Sequence, residues 1–188
     1  GGTYNAQLYK RVVGETSPLS DPVAFEVKRI RTNVLTNPLA NETEAYTQKL
    51  MALSKALSKT EHAFNKASKQ LEKFEKTLKF TTSNQDDLTK EVYALRSEMH
   101  ALKLQLKGSA AKAEVGEKEQ LSIGYRIYFA ANGLMGNSYG PTKLHMESYD
   151  MAKAMFEELQ PKLDQFSKVK VPALAKKLEA NGAPAVLN

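Results

Sequence analysis

Apolar residues in the middle of this 188-residue chain recur at alternating spacings of four and three. The uninterrupted series comprises Tyr46, Leu50, Leu53, Leu57, Thr60, Phe64, Ala67, Leu71, Phe74 and Leu78. This spacing places every member on one side of an α-helix and is typical of helices that pack lengthwise against each other. At about 1.5 Å per residue, a helix over residues 41–79 is nearly 60 Å long. The pattern therefore predicts a long amphipathic helix that needs further helices to cover it.

Two later segments repeat the same spacing. The second helix is predicted from Ser83, which with Asp86 resembles a capping box, to Lys107-Gly108. Its apolar series is Leu88, Val92, Leu95, Met99, Leu102 and Leu106. The fourth helix follows Thr142, a predicted N-cap, with the series His145, Tyr149, Ala152, Phe156, Leu159, Leu163 and Phe166. Pro161 should kink this helix, and Pro172 is predicted to open a short last segment that Gly182 closes.

Residues 121–134 are predicted to form the third helix, after a loop at 108–116. Leu121, Tyr125 and Tyr128 lie on one helical stripe, and a second stripe contains Ile123, Ile127, Ala130 and Leu134. Two apolar stripes predict the most buried helix of the set, in which Gly124 allows a neighbour to approach closely. Asn132-Gly133 and Gly136-Asn137 are predicted to end it.

Residues 1–32 are predicted to form a β-hairpin. Tyr4, Ala6 and Leu8 alternate with polar residues in its first half, and Val23, Phe25 and Val27 alternate in its second half. Gly14 to Pro18 and Asp21-Pro22 supply turn residues in a loop longer than a two-residue turn.

The predicted fold is mainly α, an up-down-up-down four-helix bundle over residues 38–182 with the N-terminal hairpin attached. Residues 183–188 form a C-terminal tail. In this topology the tail emerges beside the start of the first helix, so we expect Val186 and Leu187 to pack against the hairpin or that end of the bundle. One continuous core is predicted, formed by Leu53, Leu57, Phe64, Leu71, Leu95, Met99, Leu102, Tyr125, Ile127, Phe156, Leu159 and Leu163.

Composition excludes several chemistries. The chain has no cysteine and no tryptophan, so thiol nucleophiles, disulfides and cysteine-ligated metals are excluded. No apolar run is long enough for a transmembrane helix, and no signal peptide is recognisable. The opening Gly1-Gly2-Thr3, without Met, suggests a piece of a longer protein. The net charge of +6 is modest, and the lysines of the first helix lack interleaved aromatic residues, so a solvated helix flank is favoured over nucleic-acid binding.

No catalytic, cofactor-binding or metal-binding residues are predicted. No Glu-x-x-His pair occurs, His62 and His100 lie off the seams and should face solvent, and His145 is interpreted as a partly buried structural residue. Glu72 and Glu75 are surrounded by lysines, and Glu157-Glu158 diverge around their helix. The glycines of residues 133–140 lack the Gly-Lys-Ser/Thr ending of a phosphate-binding loop.

Several short motifs resemble the C-terminal region of large bacterial extracytoplasmic proteins with sortilin-like β-propellers of Asp-box (BNR) repeats, often labelled glycosyl-hydrolase-like. They are Leu121-Ser122-Ile123-Gly124-Tyr125-Arg126, Gly140-Pro141-Thr142 followed by Ser148-Tyr149, and Leu178-Glu179-Ala180-Asn181-Gly182-Ala183-Pro184. Gly2-Thr3-Tyr4 and Phe25-Glu26-Val27 are similar to the last strands of the Ig-like sandwich in such proteins. The resemblance implies a secreted or periplasmic accessory domain, and no catalytic residue is carried over.

The leading hypothesis is a non-catalytic structural or interaction module at the C-terminus of such a protein. Its expected partners are upstream domains of the same chain and a protein or glycan, with no nucleic acid, no membrane span and no cofactor, and the expected state is a monomer. One alternative is a glycan-binding or glycoside-processing domain that uses Tyr125, Tyr128, Phe129 and Tyr139 near the 132–141 loop. Another is a coiled-coil self-assembly module, suggested by the long first helix.

Overall fold

The computed structural model describes residues 1–28, 40–83, 85–118, 120–135 and 140–183. The chain divides into two compact units, with the boundary between residues 38 and 39. The described part of the first unit contains β-strands and that of the second contains helices. The prediction of a mainly helical chain with an N-terminal antiparallel hairpin is therefore confirmed.

The first unit is a hairpin with two successive ladders. Strand β1 (Gly2–Ala6) pairs with β4 (Val23–Val27), and β2 (Tyr9–Val12) pairs with β3 (Glu15–Pro18). Only two residues, Val13 and Gly14, connect β2 to β3, with φ angles of 49° and 90°. Positive φ at both positions is the geometry of a type I′ turn, which matches the twist of paired strands. The predicted longer loop is therefore wrong, because residues 15–18 pair as a strand instead of turning.

The predicted apolar face of the hairpin forms but is not buried. Tyr4 lies opposite Phe25, with ring centroids 6.0 Å apart, and Ala6 lies opposite Val23. Tyr4 and Phe25 remain 50% and 47% exposed, and Leu8, Val23 and Val27 are also exposed. The contact proposed between this face and residues 184–188 falls outside the described residues.

The second unit contains six α-helices among its described residues. They are α1 (Ala40–Thr77), α2 (Gln85–Lys107), α3 (Ala110–Glu114), α4 (Ile123–Met135), α5 (Lys143–Gln165) and α6 (Val171–Ala180). A 3₁₀ turn, Leu78–Phe80, follows α1, and a π-helical turn, Phe166–Lys170, joins α5 to α6. The loop predicted at 108–116 contains α3, whose first turn is capped by the Ser109 hydroxyl accepting from the Lys112 N–H at 3.3 Å.

The long helices α1 and α5–α6 run in the same direction. Near their starts, the Tyr46 hydroxyl lies 3.1 Å from the His145 carbonyl oxygen, and near their ends the Thr82 N–H donates to the Asn181 carbonyl at 3.0 Å. Helix α2 runs the other way, because Glu91 pairs with Lys177 and Glu98, further along α2, pairs with Lys170.

Helix α4 continues the course of α2 instead of reversing it. A Cβ added to Gly124 would lie 3.5 Å from the Leu106 carbonyl oxygen, so α4 starts where α2 ends. The Ala130 carbonyl oxygen then lies 3.1 Å from the hydroxyl of Tyr46, near the start of α1. The five longer described helices thus form three rows, which are α1, α2 followed by α4, and α5–α6, while the short α3 lies in the connection between α2 and α4.

The predicted up-down-up-down alternation is therefore wrong. The connection at 108–122 advances along the bundle, and so the last helix ends beside Thr82 instead of beside the start of α1. Ser83, predicted as a cap, donates its hydroxyl to the Asn181 side chain at 2.8 Å, which fixes this end of the bundle.

The predicted core is largely confirmed. Leu53, Leu57, Phe64, Leu71, Leu95, Leu102, Phe156, Leu159 and Leu163 are buried in one cluster, against which Met99 and Ile127 pack. Tyr125 is the exception, at 50% exposure. A smaller cluster of Tyr46, Leu50 and Ala130 lies near the start of α1.

Neither proline interrupts the last helical row. Residues 143–180 are continuously helical through Pro161, and the π turn ends at Lys170, two residues before Pro172. In that turn the Val171 N–H donates to the Phe166 carbonyl five residues earlier. A proline ring clashes with the carbonyl four residues before it, and a widened turn relieves that clash. The predicted separate last segment is therefore a continuation of α5.

Candidate functional site

Helix α4 turns one apolar stripe inward and the other outward. Ile123 and Ala130 are fully buried, whereas Tyr125 and Tyr128 are 50% and 64% exposed and Leu121 is also exposed. With three helical rows, one face of α4 has no neighbouring helix among the described residues of its own unit. The prediction that both stripes are buried is therefore wrong, and the outer stripe is a surface of aromatic and aliphatic side chains.

The first turns of α5 extend this surface. Leu144 and Met151, seven residues apart, are exposed, while Ser148 between them is buried. Together the two helices border a shallow groove of about 200 Å³, which we name the α4–α5 groove. Its lining residues are Leu121, Tyr125, Arg126, Phe129, Leu144, Glu147, Ser148 and Met151.

Polar contacts fix the floor of the α4–α5 groove. The Ser148 hydroxyl donates to the Arg126 carbonyl oxygen at 3.1 Å, which holds α5 against α4. The Arg126 guanidinium lies against Met151, with Nη1 3.0 Å from Sδ. Its Nε is buried and has no hydrogen-bond partner among the described residues. Arg126 therefore places a positive charge in an otherwise mainly apolar groove.

His145 lies in the first turn of α5, beside Phe129 of the groove. Its Nδ1 accepts a hydrogen bond from the Thr142 backbone N–H at 3.1 Å, so the ring caps the helix that Thr142 begins, and the N-cap prediction is confirmed. The His145 ring also packs on Phe129, with centroids 4.8 Å apart. These contacts give the ring a structural role.

Gly133 allows α4 to approach His145 closely. A Cβ at Gly133 would lie 2.7 Å from two atoms of the imidazole ring. Helix α4 continues through Gly133 to Met135, so the prediction that Asn132-Gly133 ends the helix is wrong. The absence of a side chain there serves packing and does not serve a turn.

Tyr46 joins the three helical rows near the start of α1. Its hydroxyl lies 3.1 Å from each of the Ala130 and His145 carbonyl oxygens, and its ring meets Tyr149 edge-on with centroids 5.8 Å apart. Tyr46 is only 6% exposed. Burial, followed by the nearby charges of Asp150 and Tyr149, raises the pKa of Tyr46 to about 12. The hydroxyl therefore stays protonated at neutral pH and acts as a donor that holds α4 and α5 to α1.

A second cavity, of about 350 Å³, opens beside Tyr46. Glu42, Lys49, Tyr149 and Asp150 are among its lining residues. Its polar groups surround a tyrosine whose hydroxyl is already engaged with two carbonyl oxygens. This cavity therefore lies at a structural junction of the bundle.

The ionisable residues considered in the sequence are spread over the helix surfaces. His62 and His100 are exposed, as predicted. Glu75 pairs with Arg96 at 3.3 Å. Glu157 and Glu158 pair with Lys153 and Lys162 of their own helix. Within the described residues, no group of three or more histidines and carboxylates is placed to hold a metal ion.

Sequence reasoning identified only part of the groove. Tyr125, Tyr128 and Phe129 were proposed as ligand-contacting aromatics, and Tyr139 lies outside the described residues. Leu144, Met151 and Arg126 were missed. The available signal was that Leu144 and Met151 are apolar residues seven apart and off the α5 seam, as expected for a second apolar row.

No family model, curated protein or solved structure matches this chain. In the part of the chain that the structure describes, no helix has the length and apolar character to cross a membrane.

Proposed function

We propose that the chain is a non-catalytic interaction module of a larger extracytoplasmic protein, and that its α4–α5 groove binds an apolar segment of a protein partner. The extracytoplasmic setting and the sortilin-like β-propeller parent rest on the sequence resemblance. The observation that carries the interaction function is the exposure of adjoining apolar side chains on α4 and α5. Contiguous exposed apolar surface is typical of interaction sites.

The composition of the groove favours a protein partner. Tyrosine, methionine and arginine are enriched at the cores of protein interfaces, and Tyr125, Met151 and Arg126 adjoin here. Leu121 lies just before α4, and Tyr125 and Tyr128 lie on it. Together with Leu144 and Met151 of α5, they suit an amphipathic helix laid between the two helices. Arg126 and Glu147 are the charged residues of the lining, and Glu147 pairs with Lys143 at 3.6 Å. Arg126 therefore remains to attract a carboxylate beside the apolar face of the partner segment.

Glycan binding is the second candidate function. Tyr125 and Tyr128 are three residues apart and more than 45% exposed, so their rings are accessible to a sugar face. The self-assembly hypothesis has less support, because the α1 seam that motivated it is buried against other helices of the same unit. Sedimentation at several concentrations should give a monomer.

Site-specific photo-crosslinking in the source cells tests the proposal. Benzoylphenylalanine replaces Tyr125, which lines the groove, in the full-length parent, and the matched control replaces Tyr93 of α2, which is 61% exposed. We expect one discrete protein adduct from position 125 that is absent from position 93. Mass spectrometry then identifies the partner segment, which should be apolar on one face with flanking carboxylates.

The absence of a protein adduct from position 125 contradicts the proposal, and crosslinking, binding and activity measurements distinguish the alternatives. An adduct between two copies of the chain supports self-assembly. Binding to envelope polysaccharide that is lost in Tyr125→Ser/Tyr128→Ser, with no protein adduct, supports the glycan function. Turnover of a glycoside, ester or phosphate that disappears on changing one side chain of this unit refutes the non-catalytic assignment.

A further inference from the structure

The outward side of α1 carries a regular row of cations. Lys55, Lys59, His62, Lys66, Lys69, Lys73 and Lys76 follow the same four-three spacing as the buried seam, on the opposite side of the helix, and all are exposed. We name the outward side of residues 51–79 the lysine face, and it also includes Lys79 and Glu72. From Lys55 to Lys76 the row extends about 31 Å, at about 1.5 Å per residue.

The carboxylates of α1 do not neutralise this face. Glu61 and Glu75 lie on the flank towards α2, where they pair with Lys107 and Arg96. In the described part of the chain, no carboxylate lies within ion-pair distance of Lys55, Lys59, Lys66, Lys69 or Lys76. By contrast, most lysines of α5 and α6 pair with a nearby carboxylate.

The lysine face holds the entire positive excess of the chain. The chain has 27 lysines and arginines and 21 aspartates and glutamates. Leaving out the seven lysines and one glutamate of the lysine face leaves 20 of each sign. Such an uneven distribution creates a directed positive potential, which a net charge of +6 spread over the surface does not.

The face is also held rigidly in place. Phe64 and Leu71 on the opposite side of α1 are fully buried, and the Phe64 ring packs on Phe166 with centroids 5.3 Å apart. The lysines are therefore presented on one continuous helix whose orientation is fixed by the core. A ligand of this face binds without ordering the backbone.

The shape and flanks of the face favour a flat anionic surface over a nucleic acid. The face is convex and lacks the aromatic groove that binds single strands. A duplex strand winds around its axis, so a row of about 31 Å on one helix side meets few of its phosphates. Exposed Met51 and Phe80 lie at the two ends of the face. Apolar side chains beside lysines suit the headgroup region of a bilayer.

We propose that the lysine face binds the surface of an anionic lipid bilayer, peripherally and through charge attraction. Lysines near an anionic bilayer each contribute about fivefold to binding, and this attraction falls off within a Debye length of about 10 Å at 0.1 M salt. Binding should therefore be strong at low salt and weak at high salt. This surface lies on α1 and is separate from the α4–α5 groove, so either proposal can fail alone.

Vesicle co-sedimentation of the chain tests the proposal. The vesicles contain phosphatidylcholine with 30% phosphatidylglycerol, or phosphatidylcholine alone, at 25 and 300 mM NaCl. The test variant is Lys59→Glu/Lys66→Glu/Lys69→Glu, and the control is Lys103→Glu/Lys118→Glu/Lys176→Glu. The control reverses three exposed lysines elsewhere and has the same net charge. Circular dichroism checks that both variants fold.

We expect binding to the anionic vesicles only, lost at 300 mM NaCl and reduced more than a hundredfold by the test variant. The control variant should retain most of the binding. Equal losses in the two variants, or no binding to anionic vesicles at low salt, overturn the proposal. The proposal is also overturned if the chain binds a 30-base-pair DNA duplex more tightly than the anionic vesicles, and if Met51→Ser/Phe80→Ser does not change that DNA binding. The face would then recognise nucleic acid.

Discussion

Replacing Tyr46 with phenylalanine tests the junction of the three helical rows. The substitution keeps the ring, and with it the edge-on contact with Tyr149, and removes only the hydroxyl. That hydroxyl lies 3.1 Å from two carbonyl oxygens, of Ala130 on α4 and His145 on α5. Both carbonyls belong to helices and keep their backbone hydrogen bonds. Tyr46→Phe should therefore lower the free energy of unfolding by the contribution of a single buried hydrogen bond, about 0.5–1.5 kcal/mol at pH 8.

The difference in unfolding free energy between wild type and Tyr46→Phe should change sign at high pH. Because the pKa of Tyr46 is raised from 10.0 to about 12, the unfolded chain releases this proton before the folded chain does. The stability that the protonated hydroxyl provides is fully present below pH 10 and is lost as the pH rises towards 12. Two pKa units correspond to at most about 2.7 kcal/mol. Phenylalanine has no hydroxyl to ionise, so Tyr46→Phe does not lose this stability and should be the more stable protein above about pH 11.

Urea unfolding at pH 8, 9, 10, 11 and 11.5, followed by circular dichroism, measures the difference in unfolding free energy between wild type and Tyr46→Phe. Lysine deprotonation affects both proteins and cancels in the comparison. Tyr93→Phe is the matched control, since this side chain is 61% exposed and its change should stay within about 0.5 kcal/mol at pH 8. A difference between wild type and Tyr46→Phe that is independent of pH would refute the reasoning, because the hydroxyl would then titrate alike in both states.

Three further substitutions probe packing and turn geometry. Phe64→Ala should lower the free energy of unfolding by about 3–5 kcal/mol, and a loss below about 1 kcal/mol in denaturant unfolding would show that the α1 seam faces water. Gly133→Ala should cost about 1–3 kcal/mol in the same assay, because the new Cβ overlaps the His145 ring, and an unchanged midpoint would show that α4 can move away freely. Val13→Asn should slow hydrogen exchange in β2 and β3, since asparagine tolerates the φ of 49° better than a β-branched residue does; faster exchange would contradict a type I′ turn.

Local signals identified most helices because each depends on nearby residues. The four-three spacing of α1 and α2, Thr142 as an N-cap, and Gly108 and Gly182 just beyond helix ends all describe interactions within a few residues. The turn at Val13-Gly14 escaped prediction because valine disfavours positive φ, and strand pairing imposes that conformation on it. Gly133 was misread for the opposite reason, since its role depends on His145, which belongs to the next helix.

The candidate site was only half predictable. The aromatic residues of α4 were visible as a stripe, but a stripe does not reveal which of two apolar sides meets the core. That depends on how many neighbours surround α4, and in the described part of the chain the three-row arrangement leaves one side without a neighbouring helix. Arg126 lines the groove only because α5 packs beside α4. The Ser148 hydroxyl of α5 donates to the Arg126 carbonyl oxygen and holds the two helices together.

The sequence by itself determined that this chain has an N-terminal hairpin and long amphipathic helices, because hydrophobic periodicity and terminal capping act locally. It also determined the lysine face, since helical spacing alone aligns those residues. Only the tertiary structure decided the direction of α4. A connection of 15 residues between α2 and α4 is compatible with reversal or with advance, and the choice depends on distant contacts such as Tyr46 with Ala130. That choice places the chain's last helix beside Thr82 and leaves Tyr125 and Tyr128 in solvent.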